Sequence, residues 1–229
     1  MHNKFISVVI LLKSEYLKNV NPFLMKVHKI LNNKFSHFEI ILVNNCVHPD
    51  IRELTNELSQ KVKKDIAVIN LSIKTNDDNA IIAGFDKTNG DYTMVLDLNF
   101  PDNSDHIVNL FELSQNNYDI VYLKYKNRYL PKSKIIFYKL FYYLMNKYSG
   151  YKTDINIHES RIISRRALNA ILSIRENIRY MKGIYSIVGY KTKSIEVDIP
   201  PQEPENYKKQ FKSFIIAITS FTGLLSNLV

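Results

Sequence analysis

Five short runs of apolar, largely β-branched residues alternate with helix-spaced stretches over the first 123 residues, and this alternation constrains the fold more than any other feature. Phe5 to Leu12 reads FISVVILL, the near-continuous apolar pattern of a strand buried on both faces of a parallel sheet. Phe38 to Val43, Ile66 to Leu71, Tyr92 to Leu96 and Asp119 to Leu123 repeat that signal. Between the runs, Asn21-Pro22 reads as an N-cap and first helical residue, with Phe23, Val27, Ile30 and Leu31 at helical spacing behind it. Pro49 and Asp50 open a second helix with Ile51, Leu54 and Leu58 on one face. Asn79 to Lys87 and Ile107 to Leu113 supply two more. The expected fold class is α/β, a mostly parallel Rossmann-like sheet with helices on both faces.

The second half changes character. Lys124 to Thr153 carries eight Lys/Arg and no acidic residue, interleaved with aromatics. Ile135, Tyr138, Phe141, Tyr142, Met145 and Tyr148 there fall at helical spacing. Such a helix either packs a core stripe beneath a solvated basic face or lies at a membrane interface. Arg161 to Arg166 reads as a short apolar segment between arginines, followed by helices over Arg165–Ser173 and Glu176–Ile187. Tyr190 to Ile199 alternates charged and apolar residues, as a half-exposed strand does. Pro200, Pro201 and Pro204 form a rigid connector, and residues 213–229 carry no charge. That tail is short for a bilayer span, but its apolar residues share one helical face behind Lys208, Lys209 and Lys212. The reading is a domain over 1–200, then a connector and amphipathic helix over 201–229 that meets a membrane interface or a partner subunit.

Charge divides the chain in the same place. Residues 1–114 hold 12 Lys+Arg against 14 Asp+Glu, whereas residues 115–229 hold 19 against 8. The basic half suits an anionic lipid surface or a phosphorylated substrate. No recognised nucleic-acid motif accompanies the charge, so nucleic acid is not an expected partner. Cys46 is the only cysteine, which excludes an intramolecular disulfide and a cysteine-based zinc site. The six histidines lack metal-binding spacing and read as surface or packed residues. The N-terminus enters a strand without a signal-peptide layout, and a cytosolic location is expected.

The chemistry concentrates after the fourth run. Tyr92 to Leu96 ends on Asp97, and Asn99 follows two residues later. In an extended segment those two side chains point the same way, beyond the carboxyl end of the strand, where open α/β sheets bind ligands. A carboxylate and an amide oxygen suit a hard cation, Mg²⁺ or Mn²⁺, that itself carries phosphates. The structural alternative is an acidic strand end leading into a helix capped near Asn103 or Ser104. On the ligand reading, replacing Asp97 leaves the fold intact.

With these pieces in this order, the chain resembles the inverting nucleotide-sugar glycosyltransferases of GT-A fold. It is most similar to the dolichol-phosphate mannose synthase and polyprenyl-phosphate glycosyltransferase branch. The resemblance rests on Val9-Ile-Leu-Leu-Lys-Ser-Glu15, Glu39-Ile-Ile-Leu-Val-Asn44-Asn45 and Asn79-Ala-Ile-Ile-Ala-Gly84 through Gly90-Asp91. It continues with Asp97-Leu-Asn99-Phe-Pro101-Asp102 and Arg161-Ile-Ile-Ser-Arg165. It implies nucleotide contacts at Leu11, Glu15, Asn44, Asn45, Asn79, Gly84 and Asp97, and a metal at Asp97 and Asn99. It implies catalytic roles for Asp97, Arg128 and Arg161, with Arg128, Lys132, Lys134 and Arg161 gripping an acceptor phosphate.

The departures are equally specific. The family's paired Asp after the second strand is Asn44-Asn45, the second Asp of its D-x-D is Asn99, and its Pro-x-Tyr is lost to Leu11 and Lys13. Each Asp-to-Asn change removes a negative charge and weakens a Mg²⁺ or Mn²⁺ site. The resemblance implies sugar transfer from a nucleotide-sugar donor to a polyprenyl-phosphate or related cell-envelope acceptor, at the inner face of the cell membrane. The alternative is a chain that kept the fold, lost the chemistry, and serves as a partner or scaffold for another transferase or as a homo-oligomer.

Overall fold

The computed structural model describes residues 1–48, 51–100, 105–126, 156–174 and 181–198. Its elements run β1 (His2–Leu11), a 3-10 helix (Ser14–Asn19), α1 (Val20–Lys34), β2 (Phe35–Asn44), α2 (Ile51–Leu54), α3 (Gln60–Lys63) and β3 (Ile66–Asn70). They continue with α4 (Asp77–Phe85), β4 (Tyr92–Val95), α5 (Asp105–Ser114), β5 (Ile120–Tyr125), β6 (Ile157–Ser164), α6 (Arg165–Ser173), α7 (Met181–Ile187) and β7 (Thr192–Val197).

Among the described residues the strands form one seven-stranded sheet in the order β3-β2-β1-β4-β6-β5-β7. β1 lies inside it because Val8 to Leu11 is apolar on both faces and buried on both. It pairs in parallel with β2 (Val8 opposite Ile40, Leu11 opposite Val43) and with β4 (Ile6 opposite Tyr92, Val9 opposite Val95). One core layer joins Ile6, Val8 and Ile10 to Leu24, Val27 and Leu31 of α1 and to Leu110 and Phe111 of α5. The other joins Val9 and Leu11 to Ile81 and Phe85 of α4, Leu168 of α6 and Ile184 of α7. Alternate side chains of β1 thus feed both layers, as the strand period requires.

Three local details differ from the sequence reading. The 3-10 helix runs directly into α1, so that helix starts at Val20 and Pro22 lies within its first turn, where no amide hydrogen is needed. α4 starts at Asp77 because Asn76 caps it, its side chain accepting the Asn79 amide at 2.7 Å. The largest difference is β6, an antiparallel strand between β4 and β5, where the sequence suggested only a short segment between arginines. The basic aromatic stretch, the first part of the helix expected from Glu176, and the tail over 201–229 lie outside the described residues.

Gly84 sets how closely α4 approaches the sheet. A Cβ there would stand 2.5 Å from Val9 Cγ1 and 2.9 Å from Val43 Cγ2. Gly84→Ala should therefore cost about 1–3 kcal/mol through overpacking, despite the roughly 1 kcal/mol that alanine gains as a helix former. Urea unfolding checks this, and a variant as stable as the parent would mean that α4 can lift off the sheet.

Candidate functional site

The chain leaves β1 in one direction for β2 and β3, then returns to pair β4 on the other side of β1. The carboxyl ends of β1 and β4 therefore flank a topological switch point, the place where open α/β sheets take ligands. Lys13 lies two residues past β1, and Asp97 lies two past β4. Their side chains meet there, with Lys13 Nζ 2.5 Å from Asp97 Oδ2 and only 17% and 8% of the two side chains exposed. Burial alone would lower the Lys13 pKa, but the Asp97 carboxylate outweighs it and holds the ammonium above the ordinary lysine range. Burial alone would raise Asp97, and Lys13 together with the Asn99 amide pulls it below the ordinary carboxylate value.

Beyond β4 the chain turns rather than staying extended. Asp97 Oδ1 accepts the Asn99 amide at 2.9 Å, and the Phe100 amide donates to the Asp97 carbonyl at 2.7 Å. The premise that Asp97 and Asn99 share one side of an extended segment does not hold, because ladder pairing ends at Val95. Both carboxylate oxygens of Asp97 already have partners. Among the described residues no group of three or more His, Cys, Asp or Glu is placed to hold a metal. The single carboxylate at this point, already neutralised, can take a divalent cation only when Lys13 has left Asp97.

β6 forms the adjoining wall. Ser160 Oγ accepts the Asp97 amide at 3.0 Å, fixing the start of the turn. Arg161 is 2% exposed. Its Nε donates to the Glu159 carbonyl at 2.9 Å, its Nη2 donates to the His158 carbonyl at 3.1 Å, and its guanidinium lies 4.0 Å from the Tyr185 ring centroid. Glu159 pairs with Lys182 of α7 at 2.8 Å. Its crowded surroundings would raise its pKa, but Lys182 and Arg161 outweigh them and hold it low. Asp78 of α4 accepts the Met181 amide at 3.2 Å, and burial, reinforced by Glu159, pushes its carboxyl up to about 7. Burial also drives the His158 imidazole down to about 4, and its Nδ1 accepts the Ser160 amide at 2.9 Å.

The other expected site residues divide. Asn44 Oδ1 accepts the Val47 and His48 amides, while its Nδ2 donates to the His48 carbonyl and to Asn70 Oδ1. Asn45 makes a two-way pair with the Thr75 backbone, both bonds at 2.8 Å. Both amides thus staple the loops that follow β2 and β3. An open pocket of about 400 Å³ lies beside them, lined by Asn44, Cys46, Val47, His48, Asn70 and Leu71. Leu11 is buried in the core, Gly84 packs on the sheet, and Glu15 is exposed on the 3-10 helix, where it accepts the Ser14 hydroxyl. Asn79 lies in the first turn of α4. Arg128, Lys132 and Lys134 lie outside the described residues.

Of the residues that meet here, the sequence reading named Asp97 and Arg161, assigned no role to Ser160, Lys182 and Asp78, and met Lys13 only as a lost tyrosine. Lys13 had one available signal, since it stands at the same offset from its strand as Asp97 does from β4.

A mostly parallel sheet with one antiparallel strand set beside its switch point, and an acidic side chain at the end of β4, is the GT-A arrangement. The chain belongs to glycosyl transferase family 2, whose sequence profile matches residues 7–172, from β1 into α6. It is 27% identical over 224 residues to an uncharacterized glycosyltransferase of Synechocystis sp., covering 96% of this chain and 70% of that one. It is 31% identical over 163 residues to the bactoprenol glucosyl transferase of Shigella phage SfX, covering 69% of this chain and 52% of the phage protein. The chain thus spans about half the length of that relative. Among solved structures, glucosyl-3-phosphoglycerate synthase of Mycobacterium tuberculosis, in complex with Mn²⁺, UDP and glucosyl-3-phosphoglycerate, superposes with a TM-score of 0.62 at 10% identity. That match covers 96% of this chain and 79% of the synthase. Among the described residues no helix is long and apolar enough to cross a membrane.

Proposed function

We propose that this protein transfers a sugar from a nucleotide-sugar donor to a polyprenyl-phosphate acceptor, from the cytoplasmic face of the membrane. The observation that carries the reading is the charged cluster at the β1–β4 switch point, where Lys13 and Asp97 meet beside Glu159, Arg161 and Lys182. The likeness to the phage bactoprenol glucosyl transferase supports the acceptor class.

The donor's diphosphate lies at the Lys13–Asp97 pair, and its base lies toward the pocket beside Asn44 and Asn45. An acceptor phosphate is already ionised at neutral pH, so its oxygen attacks the sugar's anomeric carbon without a general base. The bond to the diphosphate breaks, and the nucleotide diphosphate leaves with the electron pair. Arg128, Lys132 and Lys134 hold the acceptor phosphate. Arg161, buried in the wall, supplies positive potential rather than a direct grip. A divalent cation, Mg²⁺ or Mn²⁺, would neutralise the leaving diphosphate when bound. Asp97 and Asn99 are the residues that would hold it, in a site weakened by the Asn99 amide and by Lys13. Residues 201–229 serve as the membrane-interface helix and its connector.

The test uses anionic vesicles containing polyprenyl phosphate and a panel of radiolabelled nucleotide sugars. The full chain should float with the vesicles and move label from one donor into the lipid fraction. Nucleotide binding without transfer from any donor would replace this reading with the non-catalytic partner. A chain that stays at the bottom of the gradient as a defined oligomer would assign the tail to self-association.

A further inference from the structure

We propose that the Lys13 ammonium is the resident cation of this site, holding the donor's diphosphate where a metal ion would otherwise sit, so that nucleotide diphosphate binding here needs no metal. The inference rests on the donor reading above and deepens it. Its basis is geometric. Lys13 Nζ is 2.5 Å from Asp97 Oδ2 past the carboxyl ends of β1 and β4, and the second Asp97 oxygen is taken by the Asn99 amide. The carboxylate that would carry a divalent ion therefore already carries a single positive charge, supplied by the chain itself.

A metal entering here must displace that ammonium and then find one carboxylate and one neutral amide, because the second acidic side chain of the pattern is Asn99. The two features act together. Loss of the second carboxylate lowers what a metal gains, and the Lys13 ammonium occupies what remains.

The lysine is also suited to the task it takes over. An ammonium has three donors on a flexible stem, so one can stay on Asp97 while others reach phosphate oxygens. Its side chain retains 17% exposure, so it is not sealed in the core. Asp97 then acts as a positioning residue, holding Lys13 at the carboxyl end of the sheet. The pairing of β1 with β4 makes this possible, since Val9 lies opposite Val95 and both chains then leave the carboxyl end of the sheet side by side, Lys13 two residues past β1 and Asp97 two past β4.

Two measurements on the full chain test the proposal. The first is titration calorimetry of UDP, GDP, CDP and ADP into the unmodified protein, in EDTA and in Mn²⁺. One diphosphate should bind with affinities in the two buffers that agree within about threefold, which is under 1 kcal/mol. Binding that requires Mn²⁺ overturns the inference and leaves the donor reading standing. No binding of any diphosphate in either buffer overturns the donor reading, and this inference with it.

The second measurement uses Mn²⁺ alone, followed by the loss of its free-ion electron paramagnetic resonance signal. Lys13→Met should tighten Mn²⁺ binding about tenfold or more, whereas Lys13→Arg should not. An unchanged Mn²⁺ affinity in Lys13→Met shows that the ammonium does not hold the metal's place and overturns the inference. Should the Met variant fail to fold, the EDTA comparison on the unmodified chain decides alone.

Discussion

Asp97→Ala is expected to destabilise the protein by about 3 kcal/mol, because it leaves the Lys13 ammonium without its counter-ion. Sequence alone suggested a free ligand whose loss spares the fold. The structure gives the side chain a structural part as well, since it is 8% exposed and pairs with Lys13 at 2.5 Å, and its carboxylate accepts the Asn99 amide in the turn. The magnitude follows from the burial. Breaking a fully buried pair costs roughly 3–5 kcal/mol, whereas exposed pairs contribute roughly 0–1 kcal/mol. The low end of the buried range applies because the lysine stem lets its head reach toward water. The double variant Lys13→Met/Asp97→Leu removes both charges and should recover most of the loss. Denaturant unfolding of the three proteins measures this, and a loss under about 0.5 kcal/mol in Asp97→Ala would class the pair with ordinary surface contacts.

Asp78→Asn is expected to stabilise the protein at pH 8 by at most about 4 kcal/mol and to change nothing near pH 4, because burial raises the Asp78 carboxyl to about 7. Between its ordinary value of 3.8 and about 7, the folded protein keeps a proton on Asp78 that the unfolded chain has lost. Stability due to this group is therefore complete below the lower value and is lost as pH rises through the upper one. His158 works in the opposite sense. Between about 4 and its ordinary 6.5 the unfolded chain holds a proton that the buried ring lacks, so stability falls as pH falls through that window. The two slopes oppose each other over nearly the same range, and the unmodified protein should show only weak pH dependence from 4 to 6.5. Asparagine keeps an acceptor for the Met181 amide and removes only the titration. The variant should then expose the His158 slope, with stability climbing from pH 4 to 6.5. Unfolding curves at several pH values check this, and parallel profiles for variant and parent would refute the Asp78 assignment. Asp97, Glu159 and Asp119, all held low, add an acid-side loss common to both proteins that cancels in the comparison.

The sequence by itself determined the layer architecture and most element positions. Continuous apolar runs mark strands buried on both faces, so β1, β2 and β4 were legible from their own residues. Helix α6 was legible to the residue because Ser164 caps it locally and Ala167, Leu168 and Ile171 form its buried face. The place of Asp97 just past the carboxyl end of β4 was legible because an acidic side chain closing an apolar run is a local signal. Only the tertiary structure revealed β6. Its His158, Ser160 and Arg161 are buried polar residues, and they break the apolar pattern because Ser160 meets the turn after β4 while Arg161 meets Tyr185 of α7. Only the tertiary structure paired Lys13 with Asp97, 84 residues apart, since parallel register brings two strand ends together without leaving a mark on either. It also showed Asn44 and Asn45 as loop staples, because the Asn70 and Thr75 groups that meet them arrive from the next strand and its loop. Periodicity records which side of an element is buried, and it cannot record which distant group a polar side chain meets there.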